Sequence, residues 1–562
     1  MDPVTLQVMA NALRAVAEEM EAALVRSAFS PNIKERRDCS TAIFDAEGRM
    51  VVQSASIPVH LGAMPEAVDA ARERGASPGE VWLVNDPYRG GTHLPDLTMI
   101  SALPLDGAVA AYAVTRAHHA DVGGMAPGSM PAGSRELLQE GLVIPPVRLA
   151  AGGAVVPDVL EILLANTRTP GEREGDVRAQ LAAHRLAERR LAEVAARHGA
   201  ARVREAFAAL LGYAERRTRA AIAAMPDGRY EAAEALEGDG VEDGDLWIRV
   251  AVTIAGDRMT VDFAGTDPAG PGNCNCPPAV TRSAVYFVVR CLTDPDIPAS
   301  AGAFAPVEVL APAGCLVAAL SPAAVAGGNV ETSSRIVDAV MAALGGAVDV
   351  PAQGQGTMNN LTVGGPGFTY YETIGGGQGA SPGADGPSGV HVAMSNTLNT
   401  PVEALETAYP LRVASYRLRR GSGGAGAHRG GDGVERRLVA LADCEASVIA
   451  ERRRRGPAGR LGGGDGAPGR TTLNGRELPS KWRGRLAPGD VLGIETPCPP
   501  PDGGQTSAGR RALTSAQTLC PHAWQWARPR KPGRRTASQS GPVQRRFSSH
   551  VAAPQFAHSS VR

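Results

Sequence analysis

Short apolar runs separated by turn residues recur through the chain, and they limit it to folds that contain β-sheet. Three of these runs have the length and composition of buried strands, at 81–84, 97–103 and 109–114. Two pairs of runs flank short turns and predict β-hairpins, residues 41–44 with 50–53 and residues 246–254 with 259–263.

Helical signals occur at the start of the chain and in two later stretches. Apolar residues spaced three and four apart follow Asp2 and Pro3, which predicts an amphipathic helix ending near Arg26. Composition and length predict further helix at 178–224 and at 334–344. The predicted fold class is therefore mixed α and β (α+β), built in several layers.

The charge distribution divides the chain. From Pro497 onward there are ten basic residues and one acid, although the whole chain carries a net charge of only −1. This segment is rich in Arg, Pro and Ser and lacks periodicity, so residues 497–562 are predicted to form an atypical, disordered tail. Before it we expect an N-terminal α/β part at 1–240 and a glycine-rich, β-containing part at 241–496.

Composition also excludes several classes of protein. The near balance of charge gives no electrostatic reason to expect a nucleic-acid partner. No stretch approaches the roughly 20 apolar residues that span a bilayer, and the N-terminus lacks the apolar run of a secretory signal. We therefore expect a cytoplasmic protein whose eight cysteines form no disulfides.

The densest group of polar residues lies between 85 and 124, inside the N-terminal part. His93 and Asp96 stand three residues apart beside glycines and a proline, and His118 follows the apolar run at 109–114. Two imidazoles and a carboxylate leave positions open on a metal ion, which is typical of a catalytic metal site. The alternative is that these histidines cap strands and bond to backbone carbonyls.

His119 and Asp121, which follow His118 in the sequence, are candidates for supporting roles. On an extended segment His119 points away from the face that His118 occupies. Asp121 could orient a ligand imidazole, because a carboxylate near such a ring fixes its tautomer. An ordinary turn aspartate ahead of two glycines explains Asp121 equally well.

Arg36 and Arg37 lie in a charged cluster, Glu35-Arg-Arg-Asp38, between a helix and a hairpin. The simpler interpretation is a solvated connector. The functional interpretation is that the two arginines position an anion or an acyl substrate, because a guanidinium presents a fork of donors that matches a carboxylate.

Nucleotide and zinc motifs are weak in this sequence. The G-x-x-x-x-G-K-[ST] phosphate loop is absent. Residues 421–426 match G-x-G-x-x-G but are not followed by a helix-forming sequence, so we assign no cofactor-binding residues. Cys274 and Cys276 have no second cysteine pair and are predicted to be buried free thiols.

At these residues the sequence resembles the hydantoinase B/oxoprolinase family. The family includes B subunits of ATP-dependent hydantoinases, the C-terminal part of 5-oxoprolinases and α subunits of acetone-type carboxylases. The segments that carry the resemblance are 35–40, 57–65, 85–96, 116–124, 141–146, 261–266, 371–380, 395–406 and 422–426. The resemblance implies a large, multi-layer hydantoinase B-like fold.

The resemblance also implies a two-subunit enzyme. A hydantoinase A-type partner with an actin-like nucleotide fold would use ATP to activate the carbonyl of a small cyclic amide. In carboxylase relatives a divalent metal is held by a His-x-x-Asp pair and a later histidine, which fall here on His93, Asp96 and His118. The implied metal is zinc, manganese or iron, and ATP is not bound by this chain through a recognisable motif.

Under this interpretation the chain is a hydrolase subunit in a hetero-oligomer. Metal-bound water would attack the activated carbonyl, His119 or Asp121 would handle the proton, and Arg36 with Arg37 would hold the acidic product. His60 also belongs to the family pattern, without an assigned role. Two alternatives stay open: an α-type subunit of an ATP-dependent acetone- or acetophenone-type carboxylase, and a non-catalytic scaffold for the A-type partner.

The sequence departs from the family pattern in two places. Relatives commonly carry a second histidine near His391, where this chain has Ala393. They also continue past the equivalent of Pro497 into a glycine-rich closing segment, where this chain begins its Arg-rich tail. We hypothesise an altered reading frame at this end, which resequencing of the 3′ coding region would test.

Overall fold

The computed structural model describes residues 1–54 and 57–503, so most of the predicted tail, residues 504–562, lies outside the described residues. The first seven residues of that predicted tail belong to the fold. Cys498 and Asp502 are buried, and the backbone N–H of Asp502 donates to the carbonyl of His428 at 3.0 Å. The folded chain therefore continues past the predicted boundary at 497.

Helices form where the apolar periodicity predicts them. Asp2 caps the first helix by accepting a hydrogen bond from the backbone of Thr5 at 2.9 Å. The predicted helix at 178–224 is present as two helices, separated at Gly199, whose φ of 89° ends the first one. The α-helices of the described residues are α1 (Pro3–Ser27), α2 (Pro31–Lys34), α3 (Met64–Glu73), α4 (Pro157–Ala165), α5 (Pro170–His198), α6 (Ala200–Ala223), α7 (Pro278–Leu292), α8 (Ala301–Phe304), α9 (Ser333–Leu344) and α10 (Val402–Ala408).

Short 3₁₀ turns lie at Pro58–His60, Pro127–Ser129 and Leu137–Gln139, and a π-helical turn, Gly328–Thr332, leads into α9. None of the helices in the described part of the chain is both long and apolar enough to cross a membrane.

The predicted strands and both predicted hairpins are present. The strands are β1 (Cys39–Asp45), β2 (Met50–Gln53), β3 (Glu80–Val84), β4 (Asp96–Leu105), β5 (Ala108–His118), β6 (Val147–Ala151), β7 (Ala154–Val155), β8 (Gly228–Glu237), β9 (Asp245–Ala255), β10 (Arg258–Asp262), β11 (Val307–Leu310), β12 (Asn360–Gly365), β13 (Phe368–Glu372), β14 (Gly376–Gly377), β15 (Ser388–Val390), β16 (Leu411–Leu418), β17 (Val434–Ala440), β18 (Cys444–Ile449), β19 (Arg470–Leu473), β20 (Arg476–Glu477), β21 (Lys481–Leu486) and β22 (Val491–Glu495).

The first sheet has seven antiparallel strands in the order β2-β1-β5-β4-β3-β6-β7. Its alternate residues bury into two different cores. Ile43 and Ala113 pack with α1, α5 and α6 on one face. Phe44 and Val114 pack with α3, α7, α9 and strands β8 to β10 on the other face. The sheet is therefore covered on both faces, which explains why its strands read as continuous apolar runs.

The remaining strands form the second sheet, β11-β10-β9-β8, and two sheets in the C-terminal region, β13-β12-β18-β21 and β16-β17-β22-β19-β20, with a small β14-β15 pair. The two C-terminal sheets enclose a core that includes Tyr370, Leu438 and Val448. The predicted boundary at 240 falls between β8 and β9, which are paired strands. The parts 1–240 and 241–496 therefore share one sheet and one apolar core.

Candidate metal centre

The candidate site lies where two neighbouring strands of the first sheet end. Asp96 is the first residue of β4 and His118 is the last residue of β5, and they face each other as antiparallel partners. Because directly opposed residues project to the same face of a sheet, both side chains point to one side. His118 Nδ1 lies 3.3 Å from Asp96 Oδ1.

His93 reaches the same carboxylate from the loop that precedes β4. Its Nδ1 lies 3.2 Å from Asp96 Oδ2, and its ring centre lies 4.9 Å from that of His118. Gly90 allows this loop to pack closely on α3, because its φ is 94° and a Cβ there would overlap the backbone of Ala67. The loop position of His93 therefore depends on glycine.

These three side chains fit a divalent metal ion. One ligand atom from each lies within 4.8 Å of the other two, and all three residues are buried. Nε2 of His93 and Nε2 of His118 have no hydrogen-bond partner. Buried polar atoms are normally paired, so a cation would satisfy nitrogens that the protein leaves unsatisfied. Two imidazoles and a carboxylate suit zinc or iron, and the carboxylate also suits manganese.

His60 is a fourth residue at this carboxylate, and the sequence pattern assigned it no role. Its Nε2 lies 3.3 Å from Asp96 Oδ2, and its Nδ1 lies 2.8 Å from Ser40 Oγ. Thr92 Oγ1 donates to the same Asp96 oxygen. His60 and Thr92 therefore orient Asp96, as supporting contacts commonly do for a ligand carboxylate. The sequence feature that could have pointed to His60 is the Pro-Val-His segment of the family pattern.

Burial and the neighbouring histidines shift the pKa of Asp96 in opposite directions. Burial raises the pKa of a carboxyl group, but His93, His118 and His60 outweigh it and hold the pKa of Asp96 well below its usual range. Burial lowers the pKa of His60 and of His118. Of the proposed ligands, Asp96 is therefore a carboxylate and His118 a neutral imidazole near pH 7, the protonation states that bind metals.

A stacked tyrosine joins the site to the C-terminal region. The Tyr371 ring lies 4.3 Å from the His118 ring at an interplanar angle of 15°. The Arg36 guanidinium lies 5.0 Å from the centre of the Tyr371 ring, and Arg36 Nη1 donates to the Tyr371 carbonyl at 3.0 Å. Arg36 Nη2 donates to Thr373 Oγ1 at 2.7 Å and to Thr397 Oγ1 at 3.1 Å.

Arg36 is fully buried, so the interpretation as a solvated connector is wrong for this residue. Its guanidinium holds Tyr371 and two threonines, which favours a structural role over the predicted contact with an acidic product. Arg37 is half-buried and has a left-handed φ of 54°, and its substrate-binding role stays a prediction.

His119 lies on the opposite face of the sheet from His118, as the alternation of an extended strand predicts. Its Nε2 lies 2.9 Å from Gln180 Oε1 on α5, and burial lowers its pKa to about 4. These contacts do not favour the predicted catalytic role, because the ring faces the helix layer and away from the carboxylate of Asp96.

Asp121 anchors a loop. Its Oδ1 accepts hydrogen bonds from Arg168 Nη1 at 2.8 Å and from the backbone of Gly128 at 3.1 Å. Its Oδ2 accepts from the backbone N–H of Arg168 at 2.8 Å. These are the contacts of a turn aspartate, and they favour that interpretation over proton transfer or orientation of a ligand histidine.

Two further motifs from the sequence, the glycine motif at 421–426 and the cysteine pair, have defined positions in the fold. Residues 421–426 lie in the loop between β16 and β17, and no helix starts there. Cys274 and Cys276 are buried and form no disulfide. Burial raises the pKa of both thiols to about 12, so they stay protonated and unreactive near neutral pH.

Comparisons with known proteins agree on one family. Residues 2–500 match the family model described as hydantoinase B/oxoprolinase. An uncharacterized protein of Methanocaldococcus jannaschii is 38% identical over 509 residues, which cover 88% of this chain and 90% of that protein.

Two relatives carry functional names. 5-oxoprolinase 1 of Arabidopsis thaliana is 36% identical over 88% of this chain, but the match covers only 41% of the plant protein. A protein named as the B subunit of a D-/L-hydantoinase, from a Pseudomonas species, is 32% identical over 88% of this chain and 89% of its own length. The chain thus spans less than half of the oxoprolinase and most of the hydantoinase chain.

Two solved structures share the fold. The ATP-dependent caprolactamase from Pseudomonas jessenii superposes with a TM-score of 0.83 at 29% identity, covering 90% of this chain and 93% of that chain. A nucleotide-free acetone carboxylase superposes with a TM-score of 0.81 at 19% identity, covering 90% of this chain and 76% of that chain. At 19% identity the second likeness concerns the fold alone.

Proposed function

The chain belongs to the hydantoinase B/oxoprolinase family, and from this premise we propose that it is the B-type component of an ATP-dependent enzyme that hydrolyses cyclic amides. Relatives and a structural neighbour are named as a 5-oxoprolinase, a hydantoinase and a caprolactamase. The substrates in these names share a ring amide, which is the bond that the proposed reaction opens.

One observation carries the proposal: His93, Asp96 and His118 converge in a buried site with unpaired ring nitrogens. These residues would hold one divalent cation, zinc, manganese or iron. The cation would supply Lewis acidity, which strengthens the polarisation of a carbonyl and acidifies water.

The surrounding residues hold the three proposed ligands in position. His60 and Thr92 bond to Asp96 and fix its carboxylate. The Tyr371 ring stacks on His118, and Asn32 Nδ2 donates to the His118 carbonyl at 2.6 Å. The site is therefore preorganised before substrate arrives, which lowers the cost of reaching the reactive geometry.

We assign the ATP chemistry to a separate A-type ATPase partner. The sequence contains no G-x-x-x-x-G-K-[ST] phosphate loop. A relative that matches over 89% of its own length is named as the B subunit of a hydantoinase, and this name supports a division of the reaction between two chains. Phosphorylation of the amide oxygen by the partner would turn a resonance-stabilised carbonyl into a better electrophile, and a hetero-oligomer would bring it to this site.

The test is ring opening by the purified chain together with an A-type partner, ATP and one divalent metal at a time. We expect ATP-dependent hydrolysis of at least one of 5-oxoproline, hydantoin and caprolactam. The His93→Ala and His118→Ala variants should lose this turnover, whereas His119→Gln, altered on the opposite face of the sheet, should keep most of it.

Two other outcomes would replace the proposal. Incorporation of labelled bicarbonate into product, without ring opening, would identify a carboxylase component. Full turnover by a folded His118→Ala complex would identify a scaffold whose partner contains the whole active site.

A further inference from the structure

A cavity of about 450 Å³ lies between α7, α9 and the segment 378–396. Its walls are mainly apolar and include Phe287 and Leu292 of α7, Met341 of α9, and Val350 and Val392. Sites for small ligands commonly have this volume and combine apolar walls with a few polar groups.

Two segments supply residues both to the cavity wall and to the surroundings of the candidate metal centre. Pro58 lines the cavity and begins the 3₁₀ turn whose last residue, His60, contacts Asp96. On another wall, Ser395 lies two residues before Thr397, which bonds to the buried guanidinium of Arg36. The segments 58–60 and 395–397 therefore link the wall of the cavity to residues that contact Asp96 and Arg36.

His391 supplies a polar group that matches an amide. Its Nδ1 lies 2.5 Å from Ser395 Oγ, and its Nε2 is buried without a hydrogen-bond partner. The serine hydroxyl can donate or accept, so Nε2 can either donate to an amide carbonyl or accept from an amide N–H. Burial lowers the pKa of His391 to about 3, so the ring offers a hydrogen bond and no positive charge.

The charges around the cavity are predominantly negative. Four carboxyl groups line it, from Glu234, Asp338, Asp349 and Asp385, against one guanidinium, from Arg460. Glu234 and Asp338 are paired, because Arg452 Nη2 lies 3.5 Å and 2.8 Å from their respective oxygens. The two remaining carboxylates, Asp349 and Asp385, outnumber the single guanidinium of Arg460, so an excess of one negative charge remains to repel an anion at the cavity.

We propose that this cavity binds the ring of the cyclic-amide substrate, with His391 bonded to the amide, and that it selects an uncharged lactam over a lactam that carries a carboxylate. The proposal rests on the proposed function, because it names the substrate class of that reaction. It assigns recognition of the ring to this chain and not to the ATPase partner.

Ligand binding to the full chain tests this directly, because it requires neither ATP nor the partner. Ligand-observed NMR titration would compare caprolactam, which is uncharged, with 5-oxoproline, which carries a carboxylate. We expect the Kd of caprolactam to be at least about tenfold lower than the Kd of 5-oxoproline. This is the size of effect that one repulsive pair of nearby like charges produces.

Substitutions at two positions locate the binding site. Ala342, an exposed residue of α9, lines the cavity, so Ala342→Trp should fill the cavity and abolish caprolactam binding, whereas Ala342→Ser should leave it unchanged. Asp349→Asn should improve 5-oxoproline binding about fivefold and leave caprolactam binding within about twofold, because only the charge repulsion is removed.

Several results would overturn the proposal: no caprolactam binding by the wild-type chain, tighter binding of 5-oxoproline, or unchanged binding by a folded Ala342→Trp variant. The two hypotheses fail separately. Ring opening of caprolactam by the complex without binding to this chain overturns the cavity assignment alone. Binding as expected, with no ring opening of any cyclic amide, overturns the proposed function and leaves the cavity as a site for uncharged lactams.

Discussion

Replacement of Arg36 by methionine tests whether this buried arginine is structural. In the folded chain its guanidinium donates to the Tyr371 carbonyl at 3.0 Å and to Thr373 and Thr397 at 2.7 and 3.1 Å. It also donates to Asn32 and lies 4.0 Å from the Asp38 carboxylate. Methionine keeps much of the apolar stem and removes every one of these donors.

The expected loss of stability follows from the buried acceptors that lose the Arg36 donors. Each hydrogen bond from a charged donor contributes about 1.5–3 kcal/mol, and these contributions are not additive. The substitution leaves the buried Tyr371 carbonyl and the hydroxyls of Thr373 and Thr397 without this donor. Each buried group left unsatisfied costs about 1–3 kcal/mol, so we expect Arg36→Met to lower the free energy of unfolding by about 3–5 kcal/mol. Arg36→Lys should also destabilise the protein, because one ammonium group cannot reproduce the planar fork.

Urea denaturation followed by tryptophan fluorescence would measure the free energy of unfolding. Arg37→Met is the matched control: it changes the adjacent, half-buried arginine, and we expect a smaller loss than for Arg36→Met, because water can replace contacts of a partly exposed side chain. The reasoning is refuted if Arg36→Met unfolds at the wild-type urea concentration while raising only the KM of the complex, since that pattern describes a substrate-binding arginine.

Three further predictions concern single positions. His60→Ala should weaken metal binding about 10–100-fold by freeing Asp96, as measured by competition with a chelating dye, and unchanged affinity would remove His60 from the site. His184 has its pKa lowered to about 3 by burial, below its unfolded value of about 6.5. Its contribution is therefore complete above pH 6.5 and is lost toward pH 3, at about 1.4 kcal/mol per pH unit; His184→Gln should flatten the acid side of a stability profile by that slope, and an unchanged slope would contradict the assignment. Gly90→Ala should destabilise the protein by more than about 1 kcal/mol, because the new Cβ would meet the backbone of Ala67 at a φ of 94°; a wild-type melting temperature would show that the loop can relax.

Local patterns were sufficient to predict part of the secondary structure, mainly in the first sheet and the longest helices. The capped first helix, the two hairpins and the three buried strands depend on periodicity and turn residues within about ten positions. The break at Gly199 was not predicted, because the helical composition of 178–224 continues across it. The start of the tail was placed too early because residues 497–503 have a tail-like composition, yet they pack against distant segments.

The site was only partly predictable, for a physical reason. His93, Asp96 and His118 could be selected because ligand residue types stand close together in the sequence. The roles of the other residues depend on long-range contacts. His60 meets Asp96 across 36 positions, and Arg36 meets Tyr371 across 335 positions. No local pattern distinguishes such an arginine from one that binds substrate.

The central claim, that His93, Asp96 and His118 hold one catalytic metal ion, is tested most directly by elemental analysis. The metal-to-protein ratio would be measured for the wild-type chain, His118→Ala and His119→Gln after reconstitution with zinc, manganese or iron and removal of free metal. The account predicts close to one equivalent in the wild-type and His119→Gln proteins and loss of the metal from folded His118→Ala. Equal metal content in all three proteins, or none in the wild type, would contradict it.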